Sequence, residues 1–133
     1  MSRISVAKLF EFEAAHHLPN YDGACNREHG HSYKLAVTVE GDIDEESGMV
    51  MDFSELKRIV EETIVHKWDH QDLNEVMIWY PMNGSMLIPT AESMVVIIAK
   101  ELKTALSEYD PFLKLTKVKL WETSTSYAEW RRD

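Results

Sequence analysis

A single cysteine, Cys25, stands in 133 residues. An internal disulfide is therefore excluded, and a reducing compartment is expected. Long apolar runs are missing too. The longest strongly apolar stretch, Met94 to Ala99, is far shorter than the roughly 20 residues a membrane helix needs. Lys8 and Glu11 interrupt the N-terminal region where a signal peptide would carry its apolar segment. A cytoplasmic protein with no membrane partner is expected. Basic residues are in deficit, 14 against 23 acidic, for a net charge of −9. This argues against a general nucleic-acid binder, which needs a basic field. It leaves room for a small anionic substrate held by local cations, with Arg27, Lys34, Lys117, Lys119, Arg131 and Arg132 as candidates. Repeats, low-complexity tracts and linkers are absent. With 44% hydrophobic and 28% charged residues, the chain reads as one globular domain, 1–133, long enough to bury a core.

What is present is patterned. Residues 4–15 alternate imperfectly between apolar and polar, which predicts a strand with a bulge near Leu9 and Phe10. Residues 19–27 read as a loop, and 31–40 as a strand with Tyr33, Leu35, Val37 and Val39 on one face. Gly41 to Gly48 reads as an acidic turn and Met49 to Met51 as a short extended piece. A helix begins at Asp52, with Glu55 completing a capping box and Phe53, Leu56, Val60 and Ile64 at helical spacing. A long connection, 74–89, follows. Its Val76 to Tyr80 segment is apolar enough to predict burial against a partner surface. A second helix starts at Thr90 and stops at Pro111. Strands over 113–121 and 126–132 complete an α+β domain of ββααββ order, with a four-stranded antiparallel sheet whose edges invite pairing with other copies.

The chemistry concentrates in Cys25-Asn26-Arg27-Glu28-His29-Gly30-His31. Histidines two apart on a strand project from one face and can converge on one ion. Alone, such a pair reads as surface histidines beside a turn glycine. The nearby cysteine and the upstream His16-His17 pair shift the reading to a metal centre. Histidines without a carboxylate favour zinc or another borderline divalent ion. His16 and His17 point to opposite faces, so only one can join; residue order alone leaves the choice open. Cys25 reads as a fourth ligand closing a structural site, as a nucleophile or base beside the metal, or as an inert buried thiol. Asp69-His70 is a weak relay candidate. His66 and His70 have helical metal spacing, but the glutamate of the zinc-protease motif is missing, and His66 reads as structural. Glu122 ends a strand and would pass for a surface carboxylate.

Taken together, FEAAH (12–16), CNREHGH (25–31), MDFSELK (51–57), WDHQDLN (68–74), PTAE (89–92) and WETSTSYAEW (121–130) make the chain resemble the 6-pyruvoyltetrahydropterin synthase family over nearly its whole length. The four-residue interval from Cys25 to His29 resembles the bacterial 6-carboxytetrahydropterin synthases of queuosine biosynthesis. The resemblance implies the tunnelling fold, with trimers that close a barrel and stack as homohexamers, with active sites between subunits. It implies zinc held by His16, His29 and His31. It implies Cys25 as catalytic base and His70, supported by Asp69, as the second proton-transfer group. Glu122 would anchor the pterin ring, with Thr90 and Glu92 in the pocket. The implied reaction converts 7,8-dihydroneopterin triphosphate to 6-carboxy-5,6,7,8-tetrahydropterin, acetaldehyde and triphosphate. The alternatives are a pyruvoyl-forming lyase, a dihydroneopterin side-chain aldolase, and a non-catalytic structural zinc module.

Overall fold

The computed structural model describes residues 3–19, 22–24, 27–80 and 88–133. The two N-terminal alternating runs form β1 (Ile4–His16) and β2 (His29–Gly41). They pair antiparallel without interruption, from Ile4 opposite Gly41 to His16 opposite His29. The bulge expected near Leu9 and Phe10 is therefore not formed. The pattern was imperfect because Leu9 lies on the uncovered face of the sheet, 56% exposed, while Phe10, Phe12, Ala14 and His16 turn inward. The irregularities lie further along the sheet, at Thr38/Val39 where β2 meets β4 (Lys114–Thr123), and at Trp121/Thr123 where β4 meets β5 (Ser126–Arg131).

Asp52 starts α1 (Phe53–Val60) by accepting the Ser54 backbone N–H at 2.8 Å and the Ser54 hydroxyl at 2.7 Å. The reciprocal half of the expected capping box is missing. Glu55 instead accepts from the Arg58 guanidinium at 2.8 Å, a charge-assisted bond stronger than a neutral N–H would offer. The helix widens into a π-turn over Glu61–Val65 and ends as α2 (His66–Trp68). Trp68 is fully buried, edge-on to Phe12, with its indole N–H donating to the Tyr80 hydroxyl at 2.8 Å. Met49 to Met51 forms no strand; Met51 is simply buried.

Four long strands are antiparallel, as the alternation predicts, but the sheet has five strands. β3 (Gln71–Asp72) adds two residues parallel to Ala14 and Ala15 at the β1 edge, giving the order β3-β1-β2-β4-β5. A two-residue strand carries no periodicity that could announce it. The segment after it also differs from expectation. It folds as α3 (Leu73–Val76) and a 3₁₀ turn, Met77–Trp79. Val76, Met77 and Tyr80 pack on the chain's own core, so only Ile78 and Trp79 remain outward. Residues 81–87 of that connection lie outside the described residues. Finally, α4 (Ala91–Tyr109) lays Met94, Val95, Ile98, Leu102 and Leu106 into the core, packing over β4 and β5. The helices thus cover one sheet face, and Leu9 and Tyr127 show that the other is bare. No helix among the described residues is long and apolar enough to cross a membrane.

Candidate metal centre and adjoining cleft

The β1–β2 register places His16 directly opposite His29, and the alternation of β2 turns His29 and His31 toward the same inner side. Their rings cluster with centroids 4.6, 4.8 and 5.0 Å apart. Glu122, near the end of β4, joins them: its Oε1 stands 3.1 Å from His16 Nε2 and 3.0 Å from His31 Nε2. The four ligating atoms all lie within 4.8 Å of one another. His17 takes the opposite face and stays out, as the strand period requires.

Two backbone carbonyls decide the tautomers. His16 Nδ1 lies 2.7 Å from the Pro89 carbonyl, and His29 Nδ1 lies 2.8 Å from the Arg27 carbonyl. A carbonyl only accepts, so both Nδ1 atoms carry the hydrogen, and both Nε2 atoms of the neutral rings present lone pairs. Those two Nε2 atoms are 3.1 Å apart. His31 Nε2 is buried and makes no hydrogen bond. Converging lone pairs with a carboxylate among them repel unless a cation sits between. Zn–N bonds of about 2.0–2.1 Å in a tetrahedron give donor separations of about 3.3 Å, close to the short contacts here. The residues fit a borderline divalent ion, and His16, His29, His31 and Glu122 can hold a metal.

Without an ion, a proton on His16 Nε2 takes the cation's place and is donated to Glu122. Burial lowers the His16 pKa, but the contact with Glu122, the Pro89 carbonyl and the Glu122 charge outweigh it and leave it raised. Burial, together with His16 and His29, holds the His31 pKa down against Glu122. The His16 hydrogen bond keeps Glu122 below its usual range despite desolvation. Tyr33, fully buried with its hydroxyl 3.4 Å from His16 Nδ1, has its pKa pushed well up by desolvation. It reads from the sequence only as a core aromatic.

Glu122 also lines a cleft of about 530 Å³ between the start of α4 and β5, whose other walls include Glu92, Tyr127 and Trp130. Thr90, the residue before Ala91 of that wall, does not itself line the cleft; its hydroxyl accepts the Ser93 N–H at 3.1 Å and caps α4. Replacing Thr90 with alanine should cost about 1 kcal/mol in denaturant unfolding, and Thr90→Ser should restore it. A serine variant that folds normally yet loses substrate affinity would separate a pocket role from the cap.

His70 shares a second cleft with His31. It adopts a positive φ of 59°, a conformation that a non-glycine residue rarely holds. Glu13 of β1 enforces it from both sides: its carbonyl accepts the His70 N–H, and its N–H donates to Asp69 Oδ1 at 2.9 Å. The same Asp69 oxygen stands 3.0 Å from His70 Nδ1. The Glu13 hydrogen bond leads in keeping Asp69 ionised below the usual carboxylate range. The Asp69–His70 pairing expected from sequence is thus formed, with the imidazole largely exposed. His66 instead faces Glu61 at 3.6 Å.

Of the candidate cations, Lys117 and Arg131 pair with Glu129, and Arg132 Nε donates to the Leu115 carbonyl. Lys34 and Lys119 stand over the Trp121 ring on the bare face, away from the histidines. Arg27, whose carbonyl orients His29, remains beside the centre. Cys25 lies outside the described residues.

The 6-pyruvoyl tetrahydropterin synthase family model matches residues 5–133. The chain is 33% identical to 6-carboxy-5,6,7,8-tetrahydropterin synthase of Haemophilus influenzae, over 95% of this chain and 97% of that one. It is 36% identical to the Synechocystis enzyme of the same name, over 94% and 91%. It is 35% identical to human 6-pyruvoyl tetrahydrobiopterin synthase, over 82% and 71%. Its fold superposes on Caenorhabditis elegans 6-pyruvoyl tetrahydropterin synthase with a TM-score of 0.82 at 25% identity, covering 100% of this chain and 98% of the other. With matching sequence and fold, the chain belongs to the 6-pyruvoyl tetrahydropterin synthase family.

Proposed function

We propose that the protein is a zinc-dependent lyase that converts 7,8-dihydroneopterin triphosphate and water to 6-carboxy-5,6,7,8-tetrahydropterin, acetaldehyde and triphosphate, serving queuosine biosynthesis. The observation that carries this reading is the convergence of three imidazoles, two of them with tautomers preset by backbone carbonyls, beside Glu122 and an open cleft. The names of the bacterial relatives support the carboxy-forming branch.

His16, His29 and His31 would hold the zinc, which supplies Lewis-acid polarisation of the substrate's side-chain oxygens. Glu122, ionised and lining the cleft, accepts hydrogen bonds from the pterin ring and exocyclic N–H groups. Glu92 faces the same cleft, and Thr90 caps the helix that carries it. Cys25, four residues before His29 in sequence, takes the proton from the carbon next to the ring. His70, oriented by Asp69 at Nδ1, keeps Nε2 free to carry protons to and from the hydroxyls. Retro-aldol cleavage and loss of triphosphate complete the reaction. Arg27 is the cation best placed to meet the polyphosphate. The bare sheet face and two sheet edges unpaired among the described residues support a homo-oligomer of the family's barrel type, and the single cysteine suits a cytoplasmic location.

Incubation with zinc and the triphosphate, followed by identification of every product, tests the assignment. Acetaldehyde and the carboxy product are expected in equal amounts. A pyruvoyl product without acetaldehyde would assign the chain to the other branch. A two-carbon aldehyde still carrying the triphosphate would mark an aldolase, and no turnover by a zinc-loaded, folded protein would favour a structural site.

A further inference from the structure

His16 is held at its ring by the Pro89 carbonyl, but it lies at the last rung of the β1–β2 ladder. Beyond it, β2 offers β1 no partner. On the other edge, the parallel pairing with β3 stops at Ala15, because the chain turns into α3 after Asp72. A terminal residue of a strand with neither neighbour would fray.

Asn74 fills this gap. Its side-chain Oδ1 accepts the His17 backbone N–H at 2.9 Å, and its Nδ2 donates to the His17 carbonyl at 3.1 Å. The carboxamide thus takes both hydrogen-bonding groups of one residue, as a neighbouring strand would. The register confirms the mimicry: Ala14 with Gln71, Ala15 with Asp72 and His17 with Asn74 share one offset of 57 positions. Backbone pairing gives way to a side chain where helix begins. Asn74 is itself fixed, its N–H bonded to Asp72 Oδ1 at 3.0 Å and its neighbour Leu73 fully buried.

We propose that Asn74 is a positioning residue of the metal centre: its amide extends the β3 ladder by one rung across His17 and so locks the backbone of His16 into ligating geometry. This rests on His16 being a zinc ligand. The shape of the amide is essential. Leucine fills similar space without either bond. Aspartate keeps the acceptor for the His17 N–H but turns a negative oxygen on the His17 carbonyl.

The test measures zinc affinity by competition with a chromophoric chelator, and thermal unfolding of the metal-free protein, for wild type, Asn74→Leu, Asn74→Asp and a control, Trp68→Phe. The control perturbs the core where Trp68 meets Phe12 and Tyr80, while leaving both Asn74–His17 hydrogen bonds in place. Asn74→Leu and Asn74→Asp should bind zinc about 10–100-fold more weakly, the range for lost outer-shell support. Trp68→Phe should lower the unfolding temperature and leave zinc affinity unchanged. If only one Asn74 variant folds, it alone decides. Zinc affinity within about twofold of wild type in a folded Asn74 variant overturns the proposal, as does an equal loss in Trp68→Phe. Wild type that binds no zinc overturns the metal centre itself, a failure distinct from the first.

Discussion

Replacing Cys25 with alanine is expected to lower kcat by about 10²–10⁴-fold, the usual contribution of a general base, with zinc content and unfolding temperature unchanged. The reasoning separates the roles open to a lone cysteine. A base loses chemistry only; its thiolate is favoured near a cation, and its removal leaves the imidazole ligands intact. A fourth ligand would take metal with it, and zinc would fall along with activity. An inert thiol would change neither. Parallel measurement of steady-state rates and of bound zinc on the same preparation distinguishes all three.

Replacing His31 with alanine should be more severe in binding. Each outer-shell partner is worth about 10–100-fold in metal affinity, so a direct ligand should cost at least about 100-fold. His31 is chosen because its Nε2 is buried without a hydrogen bond, and Glu122, its neighbour at 3.0 Å, keeps His16 at 3.1 Å when the imidazole is removed. The companion expectation concerns pH. Ligating imidazoles must be neutral. Burial alone would keep His16 neutral, but Glu122 and the Pro89 carbonyl raise its pKa above the ordinary 6.5. Zinc must then displace a proton from His16, and apparent affinity should fall as pH drops through that raised pKa. His31, with a lowered pKa, sheds its proton at lower pH and does not set the limit. In Glu122→Gln the main raising influence is gone, and the midpoint should move to lower pH. Zinc titrations across pH check both the sign and the shift; a midpoint that stays put in Glu122→Gln would contradict the electrostatic account.

How far residue order foretold this site varies with the length scale of the signal. The His29-Gly30-His31 pair and the inward face of β2 follow from strand alternation, which repeats over many residues. The starts of α1 and α4 were legible because Asp52 and Thr90 have the side chains that cap. The choice between His16 and His17 was not, because it depends on a register with β2 that neither residue announces. Backbone carbonyls have no side-chain signature, so the roles of Pro89 and Arg27 in setting tautomers were invisible. Glu122 looked like surface until the β2–β4 pairing carried it to the histidines. Asn74 read as the first residue of a loop; its amide acts as a strand only because β3 is two residues long. The apolar Val76–Tyr80 segment suggested a partner, yet Met77 and Tyr80 satisfy themselves on the core of their own chain.

The central claim is that His16, His29 and His31 share one ion. X-ray absorption at the zinc edge of the loaded protein tests it most directly. Three imidazole nitrogens at about 2.0–2.1 Å, with the multiple-scattering pattern of histidine rings, are predicted. A shell of oxygens alone, or a spectrum unchanged by His31→Ala, would contradict it.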